Sequence, residues 1–181
     1  MPIFIDSHIL KGQDASAAEA AMAHEADLAI QEAYDVNFLT YWFDAEREEA
    51  FCLVDAPSAE ALKQVHEKAH GGVPTHVFEV DMEEVRSFLG RVTDPQPPEG
   101  DPSPPYTFID SAFRAIMFTD MQDSTAMTRL LGDKEAIDNL EIHDRIIREA
   151  VQAEDGRIVK HTGDGFMAAF PQVGPAVKSA V

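Results

Sequence analysis

Short apolar runs of strand type alternate with longer helix-forming stretches over the first 90 residues. In the first run, over residues 2–10, the isoleucines fall on one face of a strand, and Phe4, Asp6 and His8 fall on the other. The predicted elements are, in order, a strand over 2–10, a helix over 16–33, strands over 37–43 and 50–54, a helix that starts at Ser58 and stops at the glycines at 71 and 72, a strand over 75–80 and a short helix over 81–89.

The resulting order β-α-β-β-α-β predicts a ferredoxin-like α+β sandwich, with both main helices on one face of an antiparallel sheet. Composition then changes at residues 93–105, which read TDPQPPEGDPSPP and carry no apolar periodicity. Proline has no backbone N–H to donate and favours an extended, semi-rigid chain. We therefore expect a first domain over residues 1–90, a proline-rich linker over 91–105 and a second domain over 106–181.

The second domain begins with a similar β-α-β order. Its elements are predicted as a strand over 113–119, a long amphipathic helix over 126–153 interrupted near Gly132, hairpin strands over 156–161 and 166–170, and a helix that begins at Val173. One strand and one hairpin are too few to bury the apolar side of so long a helix. We therefore expect the sequence to hold only the first part of this domain.

Composition and charge narrow the class of protein. No apolar run approaches the roughly 20 residues that a membrane helix needs, and the start of the chain lacks the pattern of a signal peptide. A single cysteine, Cys52, excludes an internal disulfide framework and favours a reducing compartment. The net charge of −19 disfavours binding to nucleic acid or to an anionic membrane surface. A cytoplasmic protein is expected.

Two acidic segments of the second domain carry candidate chemistry. Asp120 lies at the predicted end of the first strand, and Asp164 lies in the Gly-Asp-Gly turn of the hairpin. The residues Asp123, Ser124 and Thr125 are predicted to cap the next helix, whose free N–H groups form a seat for phosphate. If the strand pairs beside the hairpin, both carboxylates meet at one end of the sheet. Two hard carboxylates beside a phosphate seat are suited to a pair of Mg²⁺ or Mn²⁺ ions.

This pattern resembles the catalytic domain of the class III adenylate/guanylate cyclases over residues 113–181. The resemblance implies that Asp120 and Asp164 hold two metal ions at a homodimer interface, where ATP is converted to cAMP and pyrophosphate. It also implies phosphate contacts by Ser124 and Thr125, and a purine contact by Lys160 that favours ATP over GTP. A solvent-facing hairpin lysine is the alternative interpretation of Lys160.

The family's residues that stabilise the transition state come from later elements, which this sequence does not contain. We therefore expect the chain to be inactive as a cyclase by itself, because loss of such groups costs orders of magnitude in rate. A non-catalytic regulatory or docking module with a degenerate cyclase-like unit is the alternative. A diguanylate cyclase shares a similar core, but the Thr119-Asp120 strand end and the Lys160 hairpin fit the class III pattern better.

The first domain holds most of the histidines. His66 and His70 are spaced i, i+4 and share a helix face, so they could chelate one metal ion. His24 shares a face with Asp27 on the other helix, and His8 shares a face with Asp6 on the first strand. The competing interpretation is that histidines at this spacing are exposed and bind nothing.

The segments Asp6-x-His8, His24-x-x-Asp27, Tyr41-Trp42, Phe51–Pro57 and Val65–Gly71 resemble a small bacterial family of ferredoxin-like, nickel-binding proteins. The resemblance implies that His8, His24, His66 and His70 are candidate ligands for Ni²⁺ or another transition metal, and that the domain is commonly a dimer. From the residues alone, Cys52 is expected to be a buried apolar residue, and Tyr41 and Trp42 are expected in the core or at a dimer interface. The combined hypothesis is a bacterial signalling protein in which a metal-sensing domain regulates a cyclase domain.

Overall fold

The computed structural model describes residues 1–13 and 15–181, which form two compact units. The first unit contains Met1–Arg86 and Arg91–Ala112, and the second contains Ser87–Gly90 and Phe113–Val181. No helix among the described residues is both long enough and apolar enough to cross a bilayer.

The first unit is a four-stranded antiparallel sheet with helices packed against it. Its elements are β1 (Ile3–Ile9), α1 (Ala17–Ile30) followed by a 3₁₀ turn (Gln31–Tyr34), β2 (Asn37–Asp44), β3 (Glu49–Asp55), α2 (Ala59–Ala69) and β4 (His76–Val80), with α3 (Met82–Leu89) following. The strand order is β2-β3-β1-β4, and every neighbouring pair is antiparallel. The predicted ferredoxin-like α+β fold is confirmed.

Local signals at the helix ends explain where α1 and α2 start and stop. Ser16 and Glu19 form a capping box at the start of α1. Ser58 caps α2, since its Oγ accepts from the backbone N–H of Ala61 at 3.2 Å. After α2, Gly71 takes a φ of +80°, a conformation that glycine adopts without strain, and its N–H donates to the carbonyl of His66.

The helices cover the face of β1 that carries Phe4, Asp6 and His8, all of which are buried. Phe4 belongs to an apolar core built from both helices and the central strands, with Phe38, Tyr41, Val54, Leu62 and Val65 as its larger members. On the other face of β1, Ile9 is 40% exposed. Two polar side chains of β1 are therefore placed beneath the helices, where burial demands partners for them.

The chain after α3 returns to the first unit through Arg91. Its guanidinium lies 4.9 Å from the ring of the fully buried Trp42 and donates to the carbonyl of Tyr41 at 2.6 Å and to the hydroxyl of Thr40. Further along, the hydroxyl of Ser111 donates to Asp44 at 2.6 Å. The proline-rich stretch expected as a linker thus contains segments packed on the first unit, with one 3₁₀ turn at Pro105–Phe108. The exact boundaries of the linker stay a prediction.

The second unit is a three-stranded antiparallel sheet with three helices. Its elements are β5 (Ala115–Asp120), α4 (Ser124–Leu131), α5 (Asp133–Ala153), β6 (Arg157–His161), β7 (Gly165–Phe170) and α6 (Val173–Ser179), and the strand order is β5-β7-β6. The predicted break in the long helix lies at Gly132, where φ is +81°. Val151, Ala168 and Phe170 form its buried core. Leu130, Ile137 and Ile146 of the helices are each more than half exposed.

Candidate metal centre and carboxylate pair

A cluster of histidines and aspartates is buried between the sheet and the helices of the first unit. β1 contributes Asp6 and His8 from alternate positions of one face, α1 contributes Asp27, and α2 contributes His66, with His70 as its C-cap one turn later. Asp6, Asp27 and His66 are at most 1% exposed. The structure thus brings together three of the four predicted histidines, His8, His66 and His70, around two carboxylates.

His66 is the centre of this cluster. Its Nε2 lies 3.0 Å from Oδ2 of Asp6, and its Nδ1 lies 3.0 Å from Oδ2 of Asp27. Because an ionised carboxylate only accepts hydrogen bonds, Nε2 of His66, which is hydrogen-bonded to Asp6, must carry a proton. Burial lowers the pKa of His66, but the hydrogen bonds and charges of Asp27 and Asp6 outweigh it and raise the pKa to about 9.

The outer histidines complete the two ends of the cluster. His8 Nε2 lies 3.1 Å from the second oxygen of Asp6. His70 Nε2 lies 3.3 Å from Oδ1 of Asp27 and 3.2 Å from Nδ1 of His66. The ring of His70 is also oriented by the backbone N–H of Gly72, which donates to its Nδ1 at 3.2 Å. Its side chain is 22% exposed, so the cluster reaches solvent at this end.

The two carboxylates stay ionised although they are buried. Burial alone raises the pKa of each, but the close contacts and charges of the neighbouring histidines lower it below the usual value for both Asp6 and Asp27. Neither oxygen of Asp27 forms a well-aligned hydrogen bond with any described residue. Buried carboxylate oxygens without aligned donors are suited to a cation.

Donor chemistry and spacing both fit a transition metal ion. Two ligand sets have all their donor atoms within 4.8 Å of one another: Asp6, His8, Cys52 and His66 form one, and Asp27, His66 and His70 form the other. Imidazole and carboxylate donors suit nickel, zinc and copper. A cavity of about 350 Å³ adjoins both sets and is lined by residues that include His24, Asp27, His66 and His70.

Cys52 is the member of the cluster whose place the sequence did not indicate. It is buried on β3 in the apolar core, as expected, but it also pairs in register with Asp6 and lies close to His8 and His66. Burial and the nearby carboxylates of Asp6 and Asp27 raise the pKa of its thiol well above the usual value. The strand register was the missing information, because 39 residues separate the end of β1 from the start of β3.

His24 lies beside this cluster. It is 4% exposed on α1 and lines the same cavity as Asp27. Its Nε2 lies 3.0 Å from Oδ1 of Asp94, and its ring lies 4.7 Å from that of Tyr41. The idea that the helix histidines are merely exposed is therefore wrong for His24 and His66.

In the second unit, Asp120 and Asp164 lie at the same end of the sheet. β5 pairs with β7 so that Asp120 is opposite Gly165, the residue that follows Asp164. A side chain at Gly165 would meet the carbonyl of Thr119 at 2.1 Å, so this close strand contact requires glycine. The hydroxyl of Ser124 donates to Oδ2 of Asp164 at 2.6 Å and lowers the pKa of that carboxyl.

The helix start beside these carboxylates differs from the prediction in one respect. Asp123 occupies the N-cap of α4, but its side chain makes no capping hydrogen bond, because its backbone adopts a left-handed φ of +56°. Ser124 and Thr125 form the first turn of α4 as expected. Lys160 lies on β6, exposed and opposite Met167. Its proposed contact with a purine stays a prediction.

The comparisons with known proteins give a family match for the first part of the chain. Residues 4–80 match the family described as nickel responsive protein SCO4226-like. The crystal structure of SCO4226 from Streptomyces coelicolor A3(2) is 34% identical, with 44% of this chain and 96% of that chain covered and a TM-score of 0.40. No significant match is found among curated protein sequences.

Two structures of a bacterial light-regulated adenylyl cyclase also align with the chain. Each is 13% identical and covers 99% of this chain, with TM-scores of 0.35 and 0.34. The chain spans 63% and 62% of their lengths. Because identity and TM-score are this low, the alignment bears on neither activity nor ligand.

Proposed function

Through residues 4–80 the chain belongs to the SCO4226-like family of nickel responsive proteins, and on that premise we propose that the first unit binds a transition metal ion, nickel foremost, in the cluster around His66. The single observation that carries the proposal is the buried arrangement in which both nitrogens of His66 face aspartate oxygens at 3.0 Å. If the site held no metal, each buried polar atom in it would need its own aligned hydrogen bond. The two oxygens of Asp27 form no such bond with the described residues.

Charge balance also supports a cation at this place. Two buried carboxylates need about two positive charges nearby, since an unpaired buried charge is costly. In the metal-free protein the His66 ring is charged and contributes one of them. A divalent ion displaces protons from the ligand nitrogens and supplies the positive charge in their place. His66, His70 and Asp27 would hold it on one side, and Asp6, His8 and Cys52 offer donors on the other.

The experiment for this proposal is a calorimetric titration of Ni²⁺ into the metal-free full chain. His70→Gln is expected to weaken nickel binding at least tenfold, because it removes a donor at the accessible end of the cluster. The matched control is His76→Gln, since His76 is an exposed histidine on β4 of the same unit and lies outside the cluster. Undetectable nickel binding to the wild-type chain, or an equal loss in both variants, would contradict the proposal.

For the second unit we propose a divalent-cation site of nucleotidyl cyclase type, with Mg²⁺ or Mn²⁺ held by Asp120 and Asp164 and ATP as the nucleotide. The support is the strand register that places both residues at one end of the sheet, beside the first turn of α4. The ion would neutralise phosphate charge, and the N–H groups of that turn would bind phosphate oxygens. Homodimerisation, and regulation of this unit by the metal state of the first, belong to the same proposal.

Mn²⁺ binding and catalysis are measured separately for this site. Electron paramagnetic resonance of free Mn²⁺ reports occupancy in the full chain, in Asp120→Asn and in the control Asp138→Asn, which changes an exposed carboxylate on α5. Formation of cAMP from ATP is then assayed in the same samples. Mn²⁺ binding lost only in Asp120→Asn supports the site. Since no turnover is expected from this chain by itself, Mn²⁺ binding, and not cAMP formation, decides whether the site exists.

A further inference from the structure

Asp94 connects the proline-rich segment to the wall of the metal cavity. It lies beyond residues 4–80, the part of the chain that matches the nickel responsive family. Its two carboxylate oxygens lie 3.0 and 3.2 Å from Nε2 of His24, and the adjacent Pro95 is buried. A residue outside the family's own domain thus contacts a histidine of that domain.

This contact determines which nitrogen of His24 is free. The carboxylate of Asp94 can only accept, so Nε2 carries the proton and donates. In the neutral ring the lone pair is then on Nδ1. Nδ1 of His24 is buried and has no hydrogen-bond partner among residues 1–13 and 15–181. A buried ring nitrogen that receives no hydrogen bond has its lone pair free to bind a metal ion.

His24 lines the cavity that Asp27, His66 and His70 also line. It precedes Asp27 by one turn of α1, so both side chains lie on the same face of the helix. Histidine ligands of metals commonly donate their other N–H to a carboxylate, which selects the tautomer and orients the ring. The pair His24–Asp94 has the donor–acceptor arrangement of such a ligand before any ion is bound.

We propose that Asp94 is a positioning residue for metal binding, which holds His24 with Nδ1 free for an ion in the cavity, so that metal binding in turn fixes the proline-rich segment to the first unit. This inference rests on the proposed nickel function of the same cluster. The coupling is reciprocal: the factor by which the Asp94 contact strengthens metal binding equals the factor by which bound metal strengthens that contact. The chain continues from this segment to Phe113, where the second unit resumes.

The test uses the full chain with Ni²⁺ as the probe and three variants. Asp94→Asn is expected to weaken nickel binding about tenfold, as loss of an outer carboxylate does in other metal sites. Asp94→Glu keeps the acceptor and is expected to retain most of the affinity. Asp101→Asn is the control, because Asp101 is exposed on the same segment and its carboxylate accepts from the N–H of Ser103.

Two further readouts separate positioning from a general effect on the fold. Nitrogen-15 NMR of the metal-free protein is expected to show the Nε2–H tautomer of His24 in the wild type and a mixture of tautomers in Asp94→Asn. Hydrogen exchange at the backbone amides of positions 92, 93, 94 and 96 is expected to slow when nickel is added to the wild type, and to stay unchanged in Asp94→Asn.

The outcomes are distinct for the two proposals. Absence of nickel binding in the wild type overturns the proposed function itself. The role of Asp94 is overturned if wild type and Asp94→Asn bind nickel with equal affinity and nickel does not change the exchange of the amides at positions 92, 93, 94 and 96. That result would not contradict the metal site itself. An equal loss of affinity in Asp94→Asn and Asp94→Glu also overturns it, because the carboxylate would then not be what matters.

Discussion

The Nε2 atom of His66 and the Oδ2 atom of Asp6 lie 3.0 Å apart at side-chain exposures of 1% and 0%. Removal of one member of a buried pair leaves the other charge uncompensated, which costs about 3–5 kcal/mol. We predict that Asp6→Asn lowers the free energy of unfolding of the metal-free chain by about 3 kcal/mol, at the lower end because Asp27 still faces His66. Urea denaturation in the presence of a chelator measures the free energy of unfolding of the variant and of the wild type.

The control for this variant is Asp55→Asn. Asp55 approaches the N-terminal amine of Met1 at 3.8 Å and is 29% exposed, so its loss is expected to cost at most about 1 kcal/mol. Similar unfolding free energies for the two variants would show that the His66–Asp6 pair is not a buried ion pair in solution.

The stability of the metal-free chain is predicted to depend on pH through the same cluster. The folded pKa of His66, about 9, exceeds its ordinary value of 6.5, so its contribution is fully present below pH 6.5 and is lost as pH rises through 9. The pKa values of Asp6 and Asp27 are lowered, so their contributions to stability are present above the ordinary pKa of 3.8 and are lost as pH falls through their folded pKa values.

Denaturation at a series of pH values from 5 to 10 should show a steady loss of stability above pH 6.5. A flat profile between pH 6 and 10 would contradict the charged state of His66.

Nickel binding is predicted to release protons at pH 7.5. His66 is protonated on both nitrogens at that pH, and a ligand nitrogen must lose its proton before it binds a metal ion. Calorimetry in two buffers of different ionisation enthalpy should therefore give about one proton released per nickel ion bound at this ring. Binding enthalpies that are the same in both buffers would exclude His66 as a ligand.

The turn after α2 gives a variant that alters the site without removing a donor. A Cβ at Gly72 would lie 2.8 and 2.9 Å from two atoms of the His70 ring, so the ring must move in Gly72→Ala. We predict weaker nickel binding with little change in the melting temperature, because His70 is at the solvent end of the cluster. Gly174→Ala is the matched change, since a Cβ there meets nothing within 4 Å. Unchanged nickel affinity in Gly72→Ala would show that the orientation of His70 is irrelevant.

In the second unit, Ser124→Ala is predicted to raise the pKa of Asp164. The hydroxyl of Ser124 donates to that carboxylate at 2.6 Å and is the main cause of its lowered pKa. Carbon-13 NMR of the aspartate carboxyls during an acid titration measures the change. Thr128→Ala provides a control on the same helix, because its hydroxyl donates to the carbonyl of Ser124 and leaves Asp164 untouched. An Asp164 pKa that moves equally in both variants would contradict the assigned hydrogen bond.

The order of elements in both units followed from hydrophobic pattern and turn residues. Ser16, Ser58 and Gly132 mark helix boundaries because capping and left-handed backbone depend on residues close in sequence. Asp123 is the exception. It holds the cap position but does not form the capping hydrogen bond, since its own φ of +56° depends on how the chain leaves β5.

The candidate site was predictable only in part. Pairs on one element, such as His66 with His70, follow from helical spacing. The central fact, that His66 lies between Asp6 and Asp27, depends on the packing of three elements far apart in sequence. The same holds for Cys52, which enters the cluster through the β1–β3 register, and for Asp94, which reaches His24 over seventy residues.

The nickel K-edge absorption spectrum of the metal-loaded full chain tests the metal site most directly. The proposed site predicts outer-shell scattering from imidazole rings in the wild type, reduced in His70→Gln and unchanged in His76→Gln. A spectrum of hydrated nickel without imidazole scattering in the wild-type chain would contradict the assignment of the His66 cluster as the metal centre.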